Sequence, residues 1–253
     1  MKKYIYLIIC VLGSNQIIAQ KFPEHPAAPE GDSKGKAILT HLLFGYHLPG
    51  GDLSHRFGQA FSAGLGAEFL TKNQFILGLE GHFFYGNVVK EDPLAILRTP
   101  EGDIIGNDRA IASVVLRQRG LYTGFVVGKI FTFSAKRSGI RLTLGAGWSS
   151  HKIRIQDDKS SVTQLTGDYL KGYDRLTGGL GIQEFIGWQY LAENKRANWL
   201  LGFEFGQAFT NTRRDWDFTE QRKLDQKRVD LRFGIRAAWT LPFYIGNAKE
   251  VFY

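Results

Sequence analysis

The sequence predicts an eight-stranded, antiparallel, up-and-down transmembrane β-barrel. Segments in which apolar residues alternate with small or charged residues recur along the chain, as in strands that face lipid on one side only. The chain holds 30 glycines, 19 phenylalanines, 10 tyrosines and 5 tryptophans, a composition typical of such strands. Short and long connections alternate between the segments. At 253 residues, the chain has room for one such domain.

Residues 1–19 are predicted to be a signal peptide. Two lysines precede an apolar stretch, Tyr4–Leu12, which is too short to span a membrane. Cleavage is expected after Ala19. Cys10, the only cysteine of the sequence, lies in this segment. The exported chain is therefore predicted to have neither a disulfide nor a thiol nucleophile.

The remaining chain is divided into residues 20–35, predicted as a flexible periplasmic tail, residues 36–245, predicted as the barrel, and a short tail at 246–253. No later run of about 18 apolar residues occurs, so no transmembrane helix is expected. The formal charge of +8 is interpreted as a solvated basic surface, with contact to anionic lipid headgroups as the alternative. Nucleic acid is not expected as a partner of an exported chain.

The first four predicted strands share a period of two. The first, Lys36–Leu48, places an apolar residue or threonine at every second position from Ile38 onward. The second, Phe57–Leu70, opposes phenylalanine, leucine and alanine to glycine-rich positions. The third, Phe75–Gly86, sets leucines and aromatic residues against glycine, glutamate and histidine. The fourth, Arg117–Phe133, directs leucine, phenylalanine and valine to one side.

The last four predicted strands repeat the pattern. The fifth, Ile140–Ile153, opposes leucines and a tryptophan to glycine, serine and arginine, and the sixth begins near Gly178. The seventh, Asn198–Thr210, presents aromatic residues on one face. The eighth, Val229–Tyr244, alternates without interruption between apolar and small or charged residues.

The apolar faces are predicted to point outward. The opposite faces consist mostly of glycine with sparse charge, which suits the inside of a narrow barrel, where a bulky side chain needs a small neighbour. Only a closed barrel leaves no unpaired backbone in lipid. Three connections are short (71–74, 134–139 and 192–197) and are predicted as periplasmic turns. The long ones (87–116, 156–177 and 211–227) are predicted as extracellular loops.

The charged residues on the glycine-rich faces are predicted to form one salt-bridge network inside the barrel, because an unpaired buried charge is costly. Side chains that fill an eight-stranded barrel also disfavour a conducting pore. The members of this predicted network are Glu80, His82, Arg141, Glu204, Arg232 and Arg236.

Two predicted loops share a short pattern, "GNDR" with Asp108 and Arg109, and "GYDR" with Asp174 and Arg175. The pattern fits a paired anion or partner site on the extracellular rim. The alternative, which we favour, is two tight turns in which the aspartate caps the local backbone. Further aspartates in these loops match no dedicated calcium motif, so no metal or cofactor is predicted. They are Asp103, Asp157, Asp158 and Asp168.

Some eight-stranded outer-membrane barrels modify lipid with a serine, a histidine and a carboxylate, and this sequence contains all three residue types. Ser149, Ser150 and His151 would supply the first two groups, and Glu184 the carboxylate. Ser150 is predicted near the extracellular end and Glu184 near the middle of the membrane, beyond hydrogen-bond reach. No catalytic residue is therefore predicted.

Glu184 falls on the apolar, outward face of the sixth strand, together with Trp188. A bulge could turn Glu184 inward, or the carboxyl could be protonated and bonded to a neighbouring strand. The third alternative, which we favour, is that this wall meets another protein and Glu184 contacts a polar partner there.

Four further strings resemble a family of small outer-membrane β-barrel proteins of Bacteroidota, over essentially the whole exported chain. They are "EGDIIGNDR" (Glu101–Arg109), "HKIRIQDD" (His151–Asp158), "GDYLKGYDRLTGGL" (Gly167–Leu180) and "WTLPFY" (Trp239–Tyr244). The resemblance implies a barrel in the outer membrane but carries over no catalytic residues. Bacteroidota outer membranes host multi-subunit machines for type IX secretion and for barrel assembly.

The predicted function is that of a non-enzymatic structural or accessory subunit of an outer-membrane complex. A stand-alone surface barrel that binds a ligand or partner through its loops is the alternative, and a lipid-modifying enzyme comes third. The expected partners are outer-membrane lipid, lipopolysaccharide and other outer-membrane proteins.

Overall fold

The computed structural model describes residues 35–133, 137–192 and 198–245. The predicted signal peptide (1–19) and C-terminal tail (246–253) lie outside the described residues, as does the predicted tail at 20–35 apart from Gly35.

The described residues form eight strands that close into a barrel in sequence order, and β1 pairs with β8 to complete the ring. Every neighbouring pair is antiparallel, which confirms the predicted fold class. The strands are β1 (Lys36–Gly51), β2 (Ala60–Leu70), β3 (Phe75–Gly86), β4 (Val114–Thr132), β5 (Gly139–Asp157), β6 (Thr177–Tyr190), β7 (Trp199–Thr212) and β8 (Arg228–Ile245).

The connections differ at the two ends of the barrel. Three short turns join β2 to β3, β4 to β5 and β6 to β7 at one end, here the turn end. Four longer loops lie at the other, here the loop end, and contain the short helix α1 (Leu53–Arg56) and three 3-10 turns (Ala95–Leu97, Thr163–Leu165 and Gly167–Gly172). No helix in the described part of the chain is long and apolar enough to cross a membrane.

Phe57 corrects one predicted boundary. The alternation placed it at the start of the second strand with an outward side chain, whereas β2 begins at Ala60 and Phe57 is fully buried in the preceding loop. Its ring packs edge-on against His151, 5.5 Å between centroids. The period-two pattern continues into this loop, so the sequence alone does not mark where pairing stops.

β4 and β5 extend beyond their other neighbours at the loop end. β3 pairs with β4 only as far as Gln118, and β6 pairs with β5 only as far as His151. Beyond these positions β4 and β5 pair only with each other, up to Val114 opposite Asp157. This two-stranded projection is here called the ribbon.

The outer surface is a continuous apolar belt. Large apolar side chains alternate outward along all eight strands and keep roughly 40–70% of their surface exposed. Aromatic residues border the belt, with Tyr46, Phe61 and Tyr85 in contact along one row and Tyr190 stacked on Trp199 near the turn end. An exposed apolar band between aromatic girdles is what a membrane barrel presents to lipid.

The two ends of the barrel are closed by apolar clusters. At the turn end, buried side chains of four strands form a plug with Leu191: Ala37, Leu39, Leu70, Ile76 and Ile130. At the loop end the loops and the inner face of the ribbon share a core, here called the cap: Leu53, Phe57, Leu94, Ile104, Ile153, Ile155, Val162, Leu165 and Tyr173.

The inward glycines make room for aromatic rings. Tyr122 crosses the lumen over Gly145 and Gly181, where an added Cβ would lie 2.8 Å from its hydroxyl and 3.2 Å from its ring. Gly124 and Gly147 face each other across β4 and β5 beside this ring. A Cβ on Gly147 would overlap the backbone of Thr123 and Gly124.

We therefore expect Gly147→Ala to destabilise the barrel by about 1–3 kcal/mol, the usual cost of overpacking. Gly206→Ala is the matched control on an inward position, because its Cβ would meet Arg232 Cβ at 3.7 Å, an ordinary contact. The measurement is the free energy of unfolding in urea of both variants in lipid vesicles. Equal stabilities would contradict the packing role of Gly147.

Candidate functional site

The centre of the lumen holds an ion cluster around Arg236. This side chain donates through Nε to Glu204, and its Nη1 lies 3.1 Å from Glu80 Oε2. His82 Nε2 lies 3.3 Å from Arg236 Nη2, and Gln183 donates its amide to Glu204. All five side chains are buried. The structure thus places four residues of the predicted network together, and a single cation bridges two carboxylates.

Arg141 belongs to a second cluster, which corrects the prediction of one network. It donates to Glu68, whose other oxygen lies 3.0 Å from His41 Nε2, and to Gln189 Oε1 at 3.1 Å. His41 Nδ1 meets Thr240 Oγ1 at 2.9 Å. A buried apolar layer separates the two clusters. Its members are Leu43, Phe185, Leu200 and Ala238. Ala238 lies between Thr240 and Arg236 on β8, which places the layer between the clusters.

Arg232 lies in neither cluster. Its guanidinium carbon is 4.1 Å from the centre of the Phe84 ring, and its Nη2 donates to Ser149 Oγ at 3.0 Å. Among the described residues, Arg232 has no carboxylate within ion-pair distance. The charge is therefore met by a ring face and a hydroxyl instead of the predicted salt bridge.

A third lumen group was missed from the sequence. Asp230 accepts a hydrogen bond from Thr210 Oγ1 at 2.6 Å and pairs with His151 Nε2 at 2.9 Å. Asp230 and Glu68 both lie on glycine-rich faces, so the alternation could have identified them. What it does not supply is the pairing of Glu68 with Arg141 and of Asp230 with His151, since these partners come from strands distant in sequence.

The remaining free space in this part of the lumen is small. A gap of about 10 Å³ adjoins Tyr122, Ser149 and Arg232, which is close to the smallest volume that holds one water molecule. Paired charges and aromatic rings fill the cross-section at this level. At this level the described side chains form a packed interior.

The residues of the enzymatic alternative do not come together. Ser149 and His151 point inward, and each has another partner. Glu184 is exposed on the outer face of β6. Ser150 is opposite Gly178, six positions from Glu184, which corresponds to about 20 Å along a strand.

The two Asp-Arg pairs of the loops share a local geometry but no common site. Asp108 Oδ1 and Asp174 Oδ1 each accept the backbone N–H two residues later, at 3.0 and 3.1 Å. Arg109 and Arg175 both adopt left-handed backbone, with φ of 62° and 47°. Asp108 and Arg109 are exposed, whereas Asp174 and Arg175 are buried. The structure therefore places two aspartate-capped turns in different surroundings.

Arg175 ties the four loops together. It donates to Glu91 of the β3–β4 loop and lies 3.0 Å from Asp217 and 3.3 Å from Glu220 of the β7–β8 loop. Arg56, from the β1–β2 loop, also donates to Glu91 and donates to the Arg175 backbone carbonyl at 3.1 Å. These residues, except Arg175, were not identified from the sequence, because no local pattern links positions so far apart.

The charges of this loop cluster stabilise one another. Burial alone would raise the pKa of Glu91, but Arg56 and Arg175 outweigh it and hold that pKa below its usual range. Burial would likewise lower the pKa of Arg175, and Glu91 and Asp217 together raise it instead. The cluster is thus ionised at neutral pH, and each loop contributes a charge that another loop compensates.

A small polar pocket of about 110 Å³ opens beside this cluster. Four arginines and two glutamates line it with shorter polar and apolar residues: Arg56, Arg175, Arg222, Arg228, Glu91, Glu220, Thr212, Leu224 and Gln226. Arg56 uses its Nε and Nη1, while its Nη2 makes no hydrogen bond to a described residue. Arg228 Nε is buried and also has no partner there. The pocket therefore offers unused donors to a small anion.

No group of acidic or histidine side chains in the described chain has the geometry of a metal site. Asp157 illustrates the reason, because its two carboxylate oxygens bind Ser161 Oγ and the Val162 N–H within its own loop.

Glu184 and Trp188 lie on the outer wall as the alternation predicts. Both are exposed, and β6 pairs without a bulge through Glu184, opposite Leu144 on one side and Phe205 on the other. This register contradicts the bulge alternative. In the described part of the structure the Glu184 carboxylate has no hydrogen bond or ion pair.

Comparison with solved structures finds small bacterial outer-membrane barrels. Neisserial surface protein A (NspA) matches with a TM-score of 0.43 and 12% identity, covering 82% of this chain and 99% of that one. OprG of Pseudomonas aeruginosa matches at 0.38 and 10%, covering 85% and 99%. Ail, the attachment invasion locus protein of Yersinia pestis, solved with the heparin analogue sucrose octasulfate, matches at 0.37 and 11%, covering 81% and 98%.

These similarities concern the fold. No protein-family model matches the chain. No curated protein matches it either.

The lumen cluster generates a stability prediction. Arg236→Met leaves Glu80 and Glu204 buried without their shared cation, so we expect a loss of about 3–5 kcal/mol in unfolding free energy. Arg232→Met is the matched control on the same strand, because it leaves no carboxylate orphaned, and we expect less than half that loss. Urea unfolding of both variants in lipid vesicles measures the difference. Equal losses would show that Arg236 acts by packing alone.

Proposed function

We propose that this chain is a non-enzymatic barrel of the outer membrane that serves as an accessory subunit of a protein complex, with the outer wall of β6 as the contact surface. The observation that carries the proposal is Glu184, an exposed carboxylate in the middle of the apolar belt.

The energetic argument concerns the surroundings of this carboxylate. Its neighbours across both strands, Leu144 and Phe205, are apolar, as is Ile186 two positions along the same face. A charged side chain at the middle of the lipid face destabilises a barrel by about 2–4 kcal/mol for arginine or lysine, and less for glutamate. A hydrogen-bond donor on a neighbouring protein would remove this cost, and lipid tails supply none.

The partner that fits this wall is therefore a second membrane-embedded protein. It would present an arginine, lysine or neutral donor opposite Glu184 and an apolar surface opposite Ile186 and Trp188. A secretion or assembly machine of the outer membrane is the class of complex that we infer. In this arrangement the long loops face the cell exterior and the short turns face the periplasm.

The test is purification from native membranes in mild detergent, with an affinity tag placed after Lys21. We expect a stoichiometric membrane protein to co-elute with the wild type and to fall by at least about tenfold with Glu184→Leu, since loss of about 1.4 kcal/mol corresponds to that factor. The control is Ile186→Leu, which changes the same face without removing the carboxylate.

Three results would contradict this proposal: a wild-type barrel that elutes alone even after crosslinking in cells, equal recovery of the partner with Glu184→Leu, or equal losses in both variants. Glu184→Leu should itself fold as well as the wild type, because it removes an unpaired polar group from the lipid face.

A second function is favoured by the arginine-lined pocket of the loops. In this alternative the barrel stands alone and binds a small anionic ligand at the cell surface. Arg56 and Arg228 supply donors that no described residue uses, and charge-assisted hydrogen bonds of this kind are the strong ones.

We expect the purified barrel to bind inorganic sulfate or phosphate by calorimetry, and Arg222→Gln to weaken binding by about tenfold. Arg222 is half-exposed, so its replacement should leave the fold intact. Arg109→Gln, which removes an exposed arginine from another loop, is the control. Absence of binding by the wild type would contradict the pocket's role as an anion site.

A further inference from the structure

Four cationic side chains point outward on the ribbon and at its base, where β4 still pairs with β3. Arg117, Lys152 and Arg154 lie on the ribbon, and Arg119 lies at its base. They are here called the basic ribbon face. In the strand register Arg117 is directly opposite Arg154, and Arg119 is directly opposite Lys152. Two like-charge pairs thus lie side by side on one two-stranded surface.

This arrangement is unfavourable for an isolated protein. Like charges directly opposite each other across a strand pair destabilise the sheet. The nearest compensation is weak, since Lys152 Nζ lies 3.9 Å from Asp174, which is already bound by Arg214. Arg117 donates to the neutral Asn87 side chain and Arg119 to the Gln118 carbonyl. Arg154 makes no hydrogen bond or ion pair with any residue that the structure describes.

The ribbon cannot rotate to move these cations apart, because its opposite face is packed in the cap. Its opposite face contributes Ile153 and Ile155 to the buried core of the cap, with Val114 and Leu116 packed against it. Alternation then fixes Lys152 and Arg154 outward. The fold holds the four charges on the outer side of the barrel, so their solvation or neutralisation has to come from outside the chain.

The basic ribbon face adjoins the border of the apolar belt. Arg119 is opposite Tyr85, the last residue of the aromatic row that includes Tyr46 and Phe61. Two positions further down the same face of β4 stands Leu121, which is exposed to the belt. Aromatic girdles mark the boundary between hydrocarbon and headgroups. The four cations therefore start at headgroup level and rise above it.

From these observations we propose that the basic ribbon face binds the phosphate groups of an anionic lipid headgroup in the outer leaflet. The proposal rests on the outer-membrane placement proposed above, and it assigns a site to lipid contact that the net charge alone does not locate. Arginine donates two parallel hydrogen bonds to a phosphate, and lysine adds a point charge. A phosphate bound among the four side chains would attract each of them and so offset their mutual repulsion.

The test uses the full barrel in neutral phosphatidylcholine nanodiscs and lipid A carrying both phosphates as the probe. The variant Lys152→Gln/Arg154→Gln removes two cations from the face. The control Arg109→Gln/Lys159→Gln removes two exposed cations from other loops and has the same net charge. Binding is measured by native mass spectrometry and by titration at low and physiological salt.

We expect the ribbon variant to weaken lipid A binding by roughly thirtyfold. Each cation near a headgroup surface raises the affinity by a factor of about five to six, and the variant removes two of them. The control should change it by less than threefold, and wild-type binding should fall as salt rises. Dephosphorylated lipid A should bind the wild type as weakly as phosphorylated lipid A binds the variant.

Four outcomes would overturn the proposal. Equal losses in the ribbon and control variants would assign the effect to net charge. Complete displacement of lipid A by inorganic phosphate at matched ionic strength would assign the site to a free anion, and tighter binding of an acidic peptide would assign it to a protein. If lipid A fails to bind while the chain still fractionates with the outer membrane, the placement stands and the headgroup site alone is rejected.

Discussion

A closed ring of eight strands leaves an interior just wide enough for side chains, and this width governs what each inward position holds. Where a ring such as Tyr122 crosses the lumen, glycines on three strands give way to it. Where an arginine crosses, carboxylates or a ring face lie in reach, as Glu80 and Glu204 do for Arg236 and Phe84 does for Arg232. Charge and bulk are thus distributed together, in layers separated by apolar side chains.

The alternation of residue types was sufficient to predict the number of strands and the faces of most strand residues, but not every strand end, as Phe57 and the extension of β5 to Asp157 show. Val229–Tyr244 alternates so regularly that β8 ends within one residue of the predicted bounds at each side. The same alternation places Arg141 and Arg236 in the lumen. It does not predict that Arg141 pairs with Glu68 and Arg236 with Glu80, because these pairs depend on how the strands are arranged around the barrel. The loops are less predictable still. Arg56 and Arg175 are 119 residues apart and meet only when the cap is folded.

On the outer wall, Glu184 and the basic ribbon face carry charges that the described residues compensate weakly or not at all. Glu184 sits within the belt, where only a protein can supply a donor. The basic ribbon face sits at its border, where headgroups or solvent supply anions. The position along the membrane normal therefore decides the expected partner, which is a protein for Glu184 and an anionic headgroup for the basic ribbon face. Inside the barrel, most charges of the described residues are compensated by other residues of the chain. The loop pocket differs from both, because ion pairs with carboxylates hold Arg56 and Arg175 in place.

The pairing of β1 with β8 joins the first and last strands of the barrel, so that Thr40 and Leu241 meet although 201 residues separate them. Contacts of such high sequence separation form slowly, because the chain loses much entropy before they are made. Until this seam closes, both terminal strands expose unpaired backbone, which in a bilayer is unfavourable and which pairs readily with foreign strands. Closure of this seam removes both exposed edges at once, so these two edges are the ones that an unclosed barrel leaves open to other strands.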